Sequence, residues 1–76
     1  MFEENYRELA NAIIMQAVKD FRSAYRRIKN HPDDGKAQET VREVTRFFAS
    51  KNFSKLTTLD GPSLLRRVMR EMDEKI

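Results

Sequence analysis

The sequence predicts an all-α fold built around a long N-terminal helix. Residues 3–29 contain neither Gly nor Pro, and apolar residues along the chain recur at spacings of three and four. No window shows the strict alternation of polar and apolar residues that a half-buried strand requires. A chain of 76 residues is large enough for one small domain only, and we expect residues 1–76 to form it.

The first helix is predicted over residues 3–29, where six apolar residues follow one another at spacings of 4, 3, 4, 3 and 4. These residues are Ala10, Ile14, Ala17, Phe21, Ala24 and Ile28. Such a helix is about 40 Å long, whereas a compact domain of this size is about 30 Å across. We therefore expect the helix to extend beyond its own domain and its apolar end to need a partner.

A break between Asn30 and Gly35 separates the first helix from a second one over about residues 36–49, because Pro32 cannot continue a helix. Either Asp33 or Asp34 is expected to cap the second helix. A turn this short predicts that the two helices form an antiparallel hairpin.

The rest of the chain predicts a short helical turn and a C-terminal helix. Ser50 is expected to cap the short turn, which carries Phe53 and Leu56, and residues 60–62 (Asp-Gly-Pro) to begin the last helix. The predicted apolar positions of that helix are Leu65, Val68 or Met69, Met72 and Ile76.

Adjacent pairs of large apolar residues favour an oligomeric bundle. Neighbours on a helix point about 100° apart, so Ile13-Ile14, Phe47-Phe48 and Leu64-Leu65 cannot each bury both members in one narrow interface. A chain of this size usually needs a disulfide, a metal or a partner subunit, and it has no Cys and one His. The alternative is a broad monomer core that buries every pair.

We expect a cytoplasmic protein without a membrane span or a cofactor. The longest apolar run, Ala12–Met15, is far shorter than the roughly 20 residues that a span requires. A secretory signal has a basic start, whereas Glu3 and Glu4 stand near the beginning of this chain.

Charge is segregated along the first helix, with a net charge of −2 over residues 1–20 and +4 over residues 21–31. Four basic residues at spacings of 3, 4 and 3 share one face: Lys19, Arg22, Arg26 and Lys29. Such a row attracts phosphates, and Arg adds two-pronged hydrogen bonding. Alternatively, bases near a helix C-terminus complement the helix dipole by about 0.3–1 kcal/mol each and need no ligand.

Aromatic residues near this basic row indicate a nucleotide. An arginine together with an aromatic ring can hold a phosphate and the base attached to it. Tyr25 lies within the row, and Phe47 and Phe53 are expected to be only partly buried. The predicted ligand-binding residues are Lys19, Arg22, Tyr25, Arg26, Lys29, Phe47 and Phe53.

Two other function classes are less favoured. An enzyme is not expected, because His31 is the only histidine and the two glycines form no phosphate loop. Duplex DNA is a weaker candidate because the net charge is only +3 and the long first helix does not fit a helix-turn-helix. The turn at Ser50–Leu56 followed by the last helix is the one segment that imitates that motif.

Several segments resemble small uncharacterised helical proteins of phages and mobile elements of Gram-positive bacteria. The segments are Gln16–Arg22, Phe47–Ser50, Phe53, Leu56-Thr57, Leu59–Gly61 and Leu64-Leu65. The resemblance spans most of the chain and transfers no catalytic residue. It implies a cytoplasmic accessory protein that acts against a host factor.

Together these observations predict a non-enzymatic homo-oligomer that blocks a host process by binding an anionic ligand or a host factor. The favoured ligand is a nucleotide or a signal derived from one, held in a pocket at the subunit interface. One alternative is an inhibitor of a host defence or replication protein that binds through the apolar half of the first helix. Another alternative is a DNA-binding regulator.

Overall fold

Helices make up most of the chain. The computed structural model describes the backbone of residues 2–74 and the side chains of residues 6–74. Within that range the chain is all-helical, with α1 (Phe2–Asn30), α2 (Gly35–Phe48), α3 (Lys51–Leu56) and α4 (Gly61–Glu74). The predicted all-α class is confirmed, and the bounds of α1 and α2 lie within one residue of those predicted. Ile76, the last predicted apolar position, lies outside the described residues.

Capping side chains begin the three later helices. Asp34, Ser50 and Asp60 each accept a hydrogen bond from a backbone N–H in the first turn of α2, α3 and α4, respectively. Of the two aspartates between α1 and α2, Asp34 rather than Asp33 caps α2. The Asp34 carboxylate also accepts a hydrogen bond from Arg27, so this one side chain joins the end of α1 to the start of α2.

A single core joins all four helices. Its buried members are Ile14, Phe21, Val44, Phe48, Phe53, Leu65 and Val68. Phe48 of α2 and Phe53 of α3 are stacked with their ring centroids 4.6 Å apart. The apolar row predicted on α1 faces this core: four of its six residues are buried and the other two half-buried.

Each adjacent apolar pair buries one member only, as the helix geometry predicts. Ile14, Phe48 and Leu65 are buried, whereas Phe47 and Leu64 are half-buried and Ile13 is exposed. Phe47 and Leu64 still pack against this core, so Ile13 is the one member of the three pairs that the core leaves exposed.

The molecule is long for its mass because α1 determines its largest dimension. Its principal extents are 45 × 24 × 17 Å and its radius of gyration is 13.5 Å, whereas a compact domain of this length has a radius of about 11 Å. The accessible surface is 6146 Å², against about 4,850 Å² for a compact monomer of the same mass. The elongated chain therefore exposes about 1,300 Å² more than a compact monomer of its mass.

Candidate functional site

The predicted basic row lies on the exposed surface of the C-terminal half of α1. Lys19, Arg22, Arg26 and Lys29 are all exposed. Arg22 lies 3.8 Å from Glu71 of α4, and both side chains are about half exposed, so this pair contributes little to stability. Among the described residues, Lys19 and Arg26 form neither a hydrogen bond nor an ion pair.

The C-terminal end of the basic row is attached to α4 through Asp73. The Tyr25 hydroxyl donates a hydrogen bond to Asp73 at 2.9 Å, and the Lys29 ammonium group donates to the same carboxylate oxygen. The Lys29 ammonium group also lies over the Tyr25 ring, 5.0 Å from its centroid. The Tyr25 ring is stacked with that of Phe21, and the two ring centroids are 5.5 Å apart. We call Tyr25, Lys29 and Asp73 the Asp73 cluster.

The bonds of the Asp73 cluster shift the pKa of each member. Donation by Lys29, and then by Tyr25, holds the pKa of the Asp73 carboxyl below its usual range. The hydrogen bond to Asp73 raises the pKa of Lys29. Burial raises the pKa of Tyr25, and its bond to Asp73 acts in the same direction. At neutral pH the carboxylate is therefore charged and both of its donors keep their protons.

This geometry predicts a specific acid sensitivity. A carboxyl whose pKa is lowered by folding stabilises the native state above its unfolded pKa, and this contribution disappears as the pH falls through the folded pKa. We expect Asp73→Asn to lower the melting temperature at pH 7 and to have a progressively smaller effect as the pH falls below the unfolded pKa of about 4 and then through the lower folded pKa, because Asp73 then becomes protonated in both states. Thermal melts recorded between pH 7 and pH 2.5 measure the difference.

Glu74→Gln is the matched control, because it removes the same charge from the neighbouring, exposed position of α4. Asp34 and Asp60 also have lowered pKa values, from their bonds to Arg27 and Ser63, and they lose their contributions over the same acid range in every variant. If Asp73→Asn and Glu74→Gln give the same dependence on pH, the Asp73 cluster does not stabilise the fold.

Two of the three predicted aromatic partners, Phe47 and Phe53, are not at the basic row. Phe53 is only 1% exposed, and its ring lies 4.6 Å from Phe48 and 5.7 Å from Phe47. A ring buried in the core offers no face to a nucleobase, so Phe53 is removed from the candidate ligand residues. Phe47 is half-buried and lines a different surface, between α1 and α2.

That surface is an open groove of about 510 Å³, which we call the α1–α2 groove. It is lined by Ala12, Ile13, Gln16, Ala17, Asp20, Glu43, Val44 and Phe47. The lining is apolar at the end near Ile13 and Phe47 and acidic at the end near Asp20 and Glu43. An anionic ligand is therefore disfavoured here.

Exposed apolar side chains of α1 continue from the apolar end of the groove. Tyr6 and Leu9 precede Ile13 at spacings of three and four, so the three residues share one side of the helix. All three are exposed, and Leu9 is 60% exposed. We call Tyr6, Leu9, Ile13 and Phe47 the apolar face. Its α1 residues belong to the apolar half of the helix that the sequence predicts to need a partner.

Comparison with models of known protein families, with curated proteins and with solved structures finds no match. The resemblance to small helical proteins of phages and mobile elements therefore stays a prediction. In the part of the chain that the structure describes, no three His, Asp or Glu side chains are close enough to hold a metal ion. Among residues 2–74, no helix combines the length and apolar character that a membrane crossing requires.

Proposed function

We propose that this chain is a non-enzymatic accessory protein that forms a homo-oligomer and binds an anionic, phosphate-bearing ligand through α1. The observation that supports the ligand class is the exposed row of Lys19, Arg22 and Arg26. Among residues 6–74, Arg22 is the one member of this row within ion-pair distance of a carboxylate, and that pair is weak. In this proposal the protein acts in the cytoplasm of a bacterial host and sequesters a nucleotide or a nucleotide-derived signal, which blocks a host process.

The positions of the aromatic residues make phosphate the main determinant of recognition. Arg22 and Arg26 can each donate two hydrogen bonds to a phosphate group. Tyr25 is half-buried and already contacts Phe21 and Asp73, so it can stack on a base only in part. We therefore expect affinity to increase with the number of phosphates and to change little between adenine and guanine nucleotides.

The test is titration calorimetry with ATP, AMP and GTP on the wild-type protein and on Arg26→Ala. We expect Arg26→Ala to weaken ATP binding by about tenfold or more, because it removes charge-assisted hydrogen bonds, and to leave the melting temperature unchanged. Arg42→Ala is the matched control, since Arg42 is an exposed arginine of α2 and its loss changes the net charge equally. Equal ATP affinity in the two variants contradicts an anion site on α1.

The proposed architecture is an oligomeric bundle to which α1 and α2 contribute an antiparallel hairpin. The linings of two surface grooves support the antiparallel direction. Arg27, near the end of α1, shares a groove with Lys36, at the start of α2, whereas the earlier Ile13 shares one with Phe47, near the end of α2. In this arrangement the N-terminal half of α1 lies beside the C-terminal end of α2 and beside α3.

The exposed apolar face favours a second candidate function, inhibition of a host defence or replication protein by direct contact. Leu9→Asn distinguishes the two functions, because it changes the apolar face and leaves the basic row intact. It should abolish capture of a stoichiometric host protein under the second function and leave ATP binding unchanged under the first. A DNA-binding regulator predicts instead that affinity for duplex DNA falls steeply as salt is raised.

A further inference from the structure

The apolar face groups its exposed apolar side chains along one side of α1. Single exposed apolar side chains are common in folded proteins and need no explanation. Here Tyr6, Leu9 and Ile13 occupy successive turns of one helix side, and Ile13 continues into the groove beside the half-buried Phe47. A row of this kind next to a groove is typical of a helix-binding surface.

The surface area of the molecule is large enough for a second copy of the chain to cover this face. The chain exposes about 1,300 Å² more than a compact monomer of its mass. A protein interface of standard size covers about 800 Å² on each partner. The excess is therefore large enough to supply one such interface, and α1 is the element that makes the molecule longer than a compact domain.

Charges at the two ends of the apolar face are complementary if two copies pair in opposite directions. Asp20 and Glu43 line the groove beyond Ile13. At the other end lies α3, because the Tyr6 hydroxyl donates a hydrogen bond to the backbone oxygen of Lys55 at 3.3 Å. Lys55 and Lys51 of α3 are both exposed.

The distances along α1 fit this pairing. For an axis midway between Leu9 and Ile13, Asp20 lies about 14 Å along the helix on one side and Tyr6 about 8 Å on the other. In an antiparallel pair, Tyr6 and the adjacent α3 of one copy thus approach Asp20 of the other. The offset of about 6 Å along the helix between Tyr6 of one copy and Asp20 of the other is one that an extended lysine side chain of α3 spans.

We propose that two copies of this chain form an antiparallel two-fold dimer through their apolar faces, in which Lys51 and Lys55 of each copy face Asp20 and Glu43 of the other. A two-fold axis makes the interface isologous, so each apolar face covers its own equivalent. This inference rests on the proposed homo-oligomer and identifies its interface. It leaves Lys19 and Arg26 outside the contact, so each copy keeps its own anion site.

Sedimentation equilibrium of the wild type, Leu9→Asn, Ile13→Asn and Met15→Asn tests the apolar contact. The wild type should have a mass of about 18 kDa, twice that of the 9.0 kDa chain. Leu9→Asn and Ile13→Asn should each raise the Kd of the dimer by about tenfold or more, because each loses a buried apolar contact. Met15 is the matched control: it is 63% exposed on another side of α1, so Met15→Asn should leave the Kd unchanged.

A charge exchange tests the antiparallel direction. Asp20→Lys combined with Glu43→Lys should weaken the dimer, and adding Lys51→Glu and Lys55→Glu should restore it. The four substitutions are at exposed positions, and circular dichroism should show unchanged helicity in every variant. Restoration supports the antiparallel pairing, and failure to restore the dimer overturns it.

The outcomes separate this inference from the proposed function. A wild type that is monomeric at high concentration overturns both the dimer and the homo-oligomer, whether or not another protein binds Leu9. A wild-type oligomer that Leu9→Asn and Ile13→Asn do not weaken overturns this interface alone. ATP binding is measured separately, with the wild type and Arg26→Ala. Its result therefore tests the proposed anion site and has no bearing on the dimer.

Discussion

Gly61→Ala is expected to lower the free energy of unfolding by at least about 3 kcal/mol. A methyl group at this position would lie 1.9 Å from the backbone oxygen of Phe48 and 2.7 Å from its carbonyl carbon. Both atoms belong to the main chain, so no side-chain rotation relieves the overlap. The start of α4 must instead move away from the end of α2, which separates Leu65 from the core.

Gly35→Ala is the matched control for this substitution. Gly35 is the first residue of α2, and an added methyl group there has no neighbour within 4 Å. We expect no loss of stability and a gain of up to about 1 kcal/mol, because alanine restricts the unfolded chain. Urea denaturation followed by circular dichroism measures both variants. Equal free energies of unfolding would contradict the close contact between α4 and α2.

Phe48→Ala is expected to lower the free energy of unfolding by about 3–5 kcal/mol. Phe48 is 1% exposed, is stacked on Phe53 and meets Phe47 edge to face at 5.7 Å. Its removal leaves a cavity in the core that joins the four described helices. For a domain of this size, whose total stability is on the order of 4–11 kcal/mol, this loss is a large part of the whole.

Phe47→Ala serves as the comparison, because it removes the same atoms from the adjacent, half-buried position. We expect a loss below about 2 kcal/mol when the protein is dilute enough for association not to contribute. Urea denaturation again gives both values. A loss at Phe47 as large as that at Phe48 would show that the two rings are equally buried, contrary to this structure.

The parts of the fold that depend on local chemistry could be predicted from the sequence. The spacing of Ile14 and Phe21 predicts which side of α1 is buried, since a helix repeats every 3.6 residues. Asp34, Ser50 and Asp60 act as caps because each needs only the next helical turn to accept its hydrogen bond. One buried residue in each adjacent apolar pair follows from the same helical geometry.

Contacts between distant segments could not be predicted in this way. Asp73 lies 48 residues after Tyr25 and 44 after Lys29, and its near neighbours in sequence indicate only a solvated face of the last helix. The approach of Gly61 to Phe48 has no signal in the sequence either, since Pro62 by itself accounts for a helix start at this position. Such contacts arise from the packing of α4 on α1 and α2.

The same limit applies to the candidate site. The exposure of Lys19, Arg22 and Arg26 follows from their spacing on one side of α1. The prediction that Phe53 is only partly buried is wrong, because the six residues of α3 are too few to show which side faces the core. The basic row and the apolar face also occupy different parts of α1, so the proposed dimer does not form the shared ligand pocket that the sequence suggests.

Native mass spectrometry of the wild-type protein tests the central claim, that this chain associates with itself, most directly. Proposed association through the apolar face predicts a dimer near 18 kDa, twice the 9.0 kDa of the chain, that persists as the protein is diluted toward low micromolar concentration. Any anionic ligand retained from the host would appear as added mass. A well-folded species of 9.0 kDa alone at every concentration would contradict the account.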